Sequence, residues 1–181
     1  YFSTTTYPML QALDIAPHAG HPNDDPDTNG NGKGIQVRDR GSRPIYQGGM
    51  IMDAIIASGT PDADSGRDFD GDGTNETYQE VLQDMCDMYA SGQYDGTTGS
   101  YGIIGGWRYS WGDWPDNSAC QWAAIGMIPA EHPPWNCDVP DWVKTYNDEW
   151  LDYSHYQWNS DGTQNLWGGF GYTSASWGDA L

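Results

Sequence analysis

The stretch NSACQWAAIGMIPA, residues 117–130, carries no charged side chain and is built largely from alanine and other small or apolar residues. It reads as a helix that is apolar nearly all round, and such a helix must be covered on every side. Residues 46–58, YQGGMIMDAIIAS, read the same way. Two further segments have helical period but a divided surface. Residues 76–91 put Tyr78, Val81, Leu82, Met85, Met88 and Tyr89 on one stripe, with Glu80, Gln83, Asp84 and Asp87 on the other face. Residues 141–153 set Trp142, Val143, Tyr146, Trp150 and Leu151 against Lys144, Asp148, Glu149 and Asp152. The order is buried, amphipathic, buried, amphipathic. That predicts two layers of helices, the inner wrapped by the outer, and residues 6–13, TYPMLQAL, read as a further helix of the set.

Composition narrows the function classes. A chain of 181 residues fits one domain, taken as 1–181. Lys and Arg total 7 against 26 acids, a formal charge of −19, which excludes binding to nucleic acid phosphates or anionic lipid over most of the surface. No window approaches the ~20 apolar residues of a spanning helix, so membrane insertion is not expected. Of the acids, 22 are Asp and 4 are Glu, and 24 Gly and 11 Pro accompany them. Asp favours caps, turns and loops that hold hard cations, whereas Glu suits helix interiors. The aromatics (10 Trp, 12 Tyr, 3 Phe) supply enough buriable area for a folded chain.

Three cysteines, Cys86, Cys120 and Cys137, cannot all pair within one chain, and none sits in a CxxC. Cys86 and Cys120 fall in apolar runs and read as buried thiols, with a Cys120–Cys137 bridge as the open alternative. The chain opens at Tyr1 without Met and stops where another inner helix would begin, so it reads as a processed or incomplete product. An array with an uncovered apolar end predicts a homo-oligomer or polymer, built head-to-tail into a filament.

Loops repeat as well as helices. Gly105-Gly106-Trp107-Arg108-Tyr109 leads into the apolar segment at Asn117, and Gly168-Gly169-Phe170-Gly171-Tyr172 leads into Ser176-Trp177-Gly178. The stretch 105–127, with Gln157-Trp158-Asn159-Ser160-Asp161-Gly162 and the following WGGFGY, resembles the repeat of squalene cyclases and protein prenyltransferases. The likeness spans residues 46–181 and implies an all-α fold, an incomplete or open α/α-toroid of alternating inner and outer helices. The family's chemistry does not follow. Asp24-Asp25-Pro26-Asp27 and Asp68-Phe69-Asp70-Gly71 both break the Asp-x-Asp-Asp acid of the cyclases. Asp116 and Cys120 lack the Asp-x-Cys spacing of the prenyltransferase zinc site, and His132 and His155 lack its context. The thioester motif of complement-type toroids, Gly-Cys-Gly-Glu-Gln, is absent too.

The sharpest chemical motif is Asp68-Phe69-Asp70-Gly71-Asp72-Gly73-Thr74, directly before the 76–91 segment. Oxygens at alternate positions converge on one point, and Gly73 permits the turn that brings in the Thr74 carbonyl. That is the first half of a DxDxDG calcium loop. Position 12 is Gln79, so closure falls to Glu80 or Glu76. The plainer reading is an acidic turn at the positive end of a helix. Asp25-Pro26-Asp27-Thr28-Asn29-Gly30-Asn31-Gly32 reads as a weaker calcium loop through Asp25, Asp27, Asn29 and Asn31, or as a plain Asx-turn loop. Asp113 and Asp116 near Trp107, Trp111 and Trp114 read either as a carbohydrate site or as a barrel-end seal in which Asp116 caps a helix.

Together these readings point to a non-catalytic, calcium-stabilised structural or binding module outside the cell or on its surface, where millimolar calcium keeps such loops filled. The competing expectation is part of a terpenoid cyclase or prenyltransferase-type enzyme, or a polysaccharide-active toroid, with catalytic residues outside this segment.

Overall fold

The computed structural model describes residues 10–17, 23–37, 43–96, 103–155 and 169–175. Among them the element order is β1 (Leu10–Asp14), β2 (Lys33–Val37), α1 (Pro44–Ser58), α2 (Tyr78–Ser91), α3 (Asn117–Ala130) and α4 (Asp141–Ser154). The four helices fall where the hydrophobic periodicity places them. What they do there is different.

The first correction is to the fold class. An all-α toroid is not what the chain forms, because β1 and β2 pair antiparallel, with Leu10 opposite Val37 and Asp14 opposite Lys33. The fold is a small mixed α/β arrangement. Residues 10–13, expected in a helix, are strand; the rest of that expected helix lies outside the described residues. A five-residue strand is too short to show an alternation of its own, and Leu, Gln and Ala favour helix in isolation. Tertiary pairing overrides that preference, and β2 brings Ile35 and Val37 into the core against α2.

The second correction reverses the layers. Every residue of α2 from Val81 to Ala90 is buried, including Gln83, Asp84 and Asp87 on the face read as solvent-facing. The apolar helices α1 and α3 pack on each other and leave part of their outer surface in water. Met50 is 46% exposed, Ile125 39% and Ile128 58%. So the amphipathic α2 is the central rod, and its polar face is covered by loops that hydrogen-bond to it.

Local chemistry explains the helix ends. Thr77 opens α2 with a capping box: its side chain accepts from the Glu80 N–H, and Glu80 accepts from the Thr77 N–H at 2.7 Å. Asp116 caps α3, accepting the Ala119 N–H at 2.7 Å, and ion-pairs with Arg108 at 3.3 Å. The fully buried Trp150 of α4 donates to the Asn117 side chain at 2.8 Å, joining α4 to the start of α3. The second Gly-aromatic unit lies largely outside the described residues. Within them, the Tyr172 carbonyl accepts the Asn117 N–H at 2.9 Å.

The α1–α3 contact depends on small residues. A Cβ on Gly49 would stand 2.3 Å from the Trp122 carbonyl oxygen, a backbone atom with little freedom to retreat. Gly49→Ala is therefore expected to destabilise the protein by about 1–3 kcal/mol, whereas Met50→Ala, at an exposed position beside it, should stay within about 0.5 kcal/mol. Urea unfolding of the two variants checks this; equal stabilities would contradict the packing described.

Candidate functional site: two matched Asp/Asn loops over a buried acidic face

Loops 27–33 and 68–74 have the same internal hydrogen-bond pattern, displaced by 41 residues (27 to 68). In the first, Asp27 accepts from Gly30 at 2.9 Å through Oδ1 and from Gly32 at 2.8 Å through Oδ2. Asn29 Oδ1 then accepts the Asn31 N–H at 3.0 Å, and Asn31 Oδ1 the Lys33 N–H at 2.7 Å. In the second, Asp68 accepts from Gly71 at 2.6 Å and Gly73 at 3.0 Å, Asp70 from Asp72 at 2.9 Å, and Asp72 from Thr74 at 2.7 Å. The glycines match too, with φ of 76° and 72° at Gly30 and Gly32 and of 84° and 97° at Gly71 and Gly73. Those left-handed turns, which favour glycine, let each side-chain oxygen reach a backbone N–H further along its own loop.

The match sets the register of the first loop at Asp27. Asp25 sits outside it, accepting only the Asp27 N–H at 3.0 Å. Asp27, Asn29 and Asn31 correspond to Asp68, Asp70 and Asp72. Glu80 is occupied by the capping box, through both the N–H and the hydroxyl of Thr77. Glu76 turns back over the second loop instead, accepting the Phe69 N–H at 2.8 Å and the Asp70 N–H at 3.1 Å. Among the described residues, Asp68, Asp70 and Glu76 form the one group of acids whose oxygens lie within 4.8 Å of one another. Of the two closures the sequence offered, Glu76 is the one that joins the loop.

Asn29, Asn31, Asp70, Asp72, Thr74, Glu76, Glu80 and Asp84 share a cleft of about 520 Å³. Asp84 lies at its floor, 1% exposed. The Asn29 amide donates to it at 2.7 Å, and the Asn31 amide reaches both its oxygens at 3.1 and 3.2 Å. One helical turn on, the wholly buried Asp87 accepts the Thr28 N–H at 3.2 Å and the Thr28 hydroxyl at 2.8 Å. Gln83 donates to Thr28 Oγ1, to Asp87 Oδ1 and to the Asp138 carbonyl, at 2.6, 2.9 and 2.9 Å. Loop 27–33 is thus fastened to α2 by protein groups, while loop 68–76 gathers the carboxylates of Asp68, Asp70 and Glu76.

Burial sets the electrostatics of the floor. It pushes the Asp84 carboxyl up to about 6, against the pull of the Asn29 and Asn31 amides, and the charges of Glu76 and Asp27 push the same way. Burial likewise raises Asp87 to about 7, with Thr28 and Gln83 pulling it down and Asp84 adding to the rise. The Asp72 carboxyl, hydrogen-bonded by the Thr74 hydroxyl and N–H, is held below the usual range.

Other expected site residues are placed elsewhere. Trp107 is buried and donates to the Tyr89 carbonyl at 2.8 Å, and Trp111 donates to Gln36 at 2.6 Å. Trp114 packs edge-on against Tyr94, Trp150 and Tyr153. Asp116 is fully buried as a helix cap, whereas Asp113 is exposed. His155 stacks on Phe170. A second cavity, about 330 Å³ between α3 and α4, is lined mainly by apolar residues such as Trp107, Met127, Val139 and Val143. Residues 159–162 lie outside the described residues. The Gln83–Asp84–Asp87 floor escaped the sequence reading. Its signal was a three-residue polar cluster that turns to the inside.

Because Asp84 and Asp87 hold protons more tightly folded than unfolded, the stability they contribute is complete below about pH 4 and is lost as pH rises through about 6 to 7. In chelator, the protein should lose about 4 kcal/mol between pH 5 and pH 8. Asp87→Asn, which keeps an acceptor for Thr28, should flatten that slope. Thermal melts across the pH range check this, and stability that rises from pH 5 to 8 would contradict it. Compared with protein families, curated proteins and solved structures, the chain matches none.

Proposed function

We propose that this chain is a non-catalytic structural or binding module, secreted or surface-displayed, whose 68–76 loop holds a calcium ion. The observation that carries the reading is Glu76 turned onto Asp68 and Asp70 within 4.8 Å, in a loop wound around Gly71 and Gly73. Three carboxylates so close repel one another, and a hard cation with several oxygen ligands offsets that repulsion. Calcium accepts irregular oxygen cages of six to eight ligands, whereas magnesium demands a tighter octahedron and keeps its waters, so a loop of irregularly spaced carboxylates fits calcium better. The ligands on this reading are Asp68, Asp70, Asp72, Glu76 and the Thr74 carbonyl.

Loop 27–33 plays the companion role. It repeats the turn with amides in place of two acids, and the α2 carboxylates hold it by hydrogen bonds. A cation in the 68–76 loop would also relieve the charge that Glu76 imposes on Asp84, so binding at the surface stabilises the floor beneath both loops. Millimolar calcium outside cells suits a site of this exposure.

Calorimetric titration should find calcium binding with magnesium much weaker. Saturating calcium at about 100 times Kd is expected to add about 2.7 kcal/mol, raising the melting midpoint by about 5–10 °C over chelator. Asp70→Asn and Glu76→Gln should each abolish most of that rise, while Asp25→Asn should leave it intact. A melting midpoint indifferent to calcium and chelator would overturn the proposal.

A further inference from the structure

Two of the three cysteines, all free thiols in the structure, are hydrogen-bonded to each other in the core. Cys86 lies on α2, 1% exposed, and Cys137, 4% exposed, lies between α3 and α4. The approach follows from a backbone clamp on the same helix. Gln83 accepts the Asp138 N–H at 2.7 Å and donates to the Asp138 carbonyl at 2.9 Å. Residues three apart share a helix face, so the clamp that fixes Asp138 against Gln83 brings its chain neighbour Cys137 beside Cys86. The Cys137 N–H is itself tied to the Ala130 carbonyl at 2.9 Å. The Cys137 thiol, hydrogen-bonded to that of Cys86, pushes the Cys86 thiol well above its ordinary range, and burial adds to the rise. Cys120 sits apart, its sulfur accepting the Trp107 N–H at 3.1 Å, and burial raises its thiol to about 12.

We propose that Cys86 and Cys137 are a structural disulfide pair, closed as the chain folds in an oxidising medium, with Cys120 left as the free thiol. The oxidant is an external disulfide. A thiolate of one cysteine attacks a sulfur of that disulfide and releases one thiolate, and the second cysteine attacks the mixed disulfide and releases the other. Two protein thiols are oxidised to one S–S bond, the external disulfide is reduced to two thiols, and the two protons pass to them. Exchange needs a thiolate and access, so the bridge forms before the core closes and is shielded afterwards. It spans 51 positions (86 to 137) and ties α2 to the segment that leads into α4. The pairing differs from the Cys120–Cys137 alternative left open by the sequence, and it stands independently of the cation reading.

The test is to refold the reduced full chain in a glutathione redox buffer, denature it with an alkylating agent, digest without reduction and identify the peptides by mass spectrometry. The expected result is a peptide pair cross-linked through Cys86 and Cys137, with alkylation at Cys120 alone. The bridged protein should melt about 10 °C above the reduced protein. Cys120→Ala should form the same bridge and retain no alkylatable thiol. Three alkylated cysteines in the wild-type chain, a bridge that includes Cys120, or a bridge between chains would each overturn the proposal.

Discussion

The buried polar face of α2 is the constraint on which the rest of the structure depends. Gln83, Asp84 and Asp87 have lost their water, and an uncompensated loss of that kind would cost several kcal/mol. The compensation comes from Thr28, Asn29 and Asn31 on one side and the Asp138 backbone on the other. Only side chains carrying donors at that spacing can meet two carboxylates one turn apart. This is why the segment between β1 and β2 has its order of threonine and asparagines. The loop is held by the helix, and the helix can be central because the loop covers it.

The remaining architecture follows from that arrangement. With the 27–33 loop seated on α2, the chain leaves its second left-handed glycine in an extended direction, and β2 runs against α2 with Ile35 and Val37 in the core. β1 completes the pair, and Lys33 closes its end through an ion pair with Asp14 at 2.6 Å. The helices α1 and α3 then need only close on the opposite side of α2. Tyr89 marks that side by donating to the Ile45 carbonyl at 2.5 Å. The second loop, 68–76, enters α2 through the capping box and lies over the same cleft. Two loops of one design therefore converge on one helix, one fastened by amides and the other left with a concentration of charge.

Much of this was legible in the residues, and the part that was not has a physical cause. Helix positions were readable because apolar spacing of three and four survives any packing, and Asp116 was readable as a cap from its place before an apolar run. The Asp68–Thr74 turn was readable from its alternation of acids and glycines. Layer assignment was not, since the period shows which residues share a face but not what covers that face. Asp84 and Asp87 look like solvated residues until their partners, 53 to 59 positions earlier, are known. The strands failed for a related reason: β1 takes its conformation from β2, and neither announces itself alone. Glu76 and Glu80 were both in reach of the loop in sequence; the structure commits Glu80 to the capping box and turns Glu76 onto Phe69 and Asp70.

Amide hydrogen exchange at residue resolution tests the central claim most directly. If the 27–33 loop is the lid of a buried polar face, the Thr28 N–H, which donates to Asp87, opens only when the loop leaves α2, and it is strongly protected. If instead the Thr28 amide exchanges at the rate of an unstructured chain while the Val81–Ala90 amides stay protected, the loop does not hold the helix and the account fails.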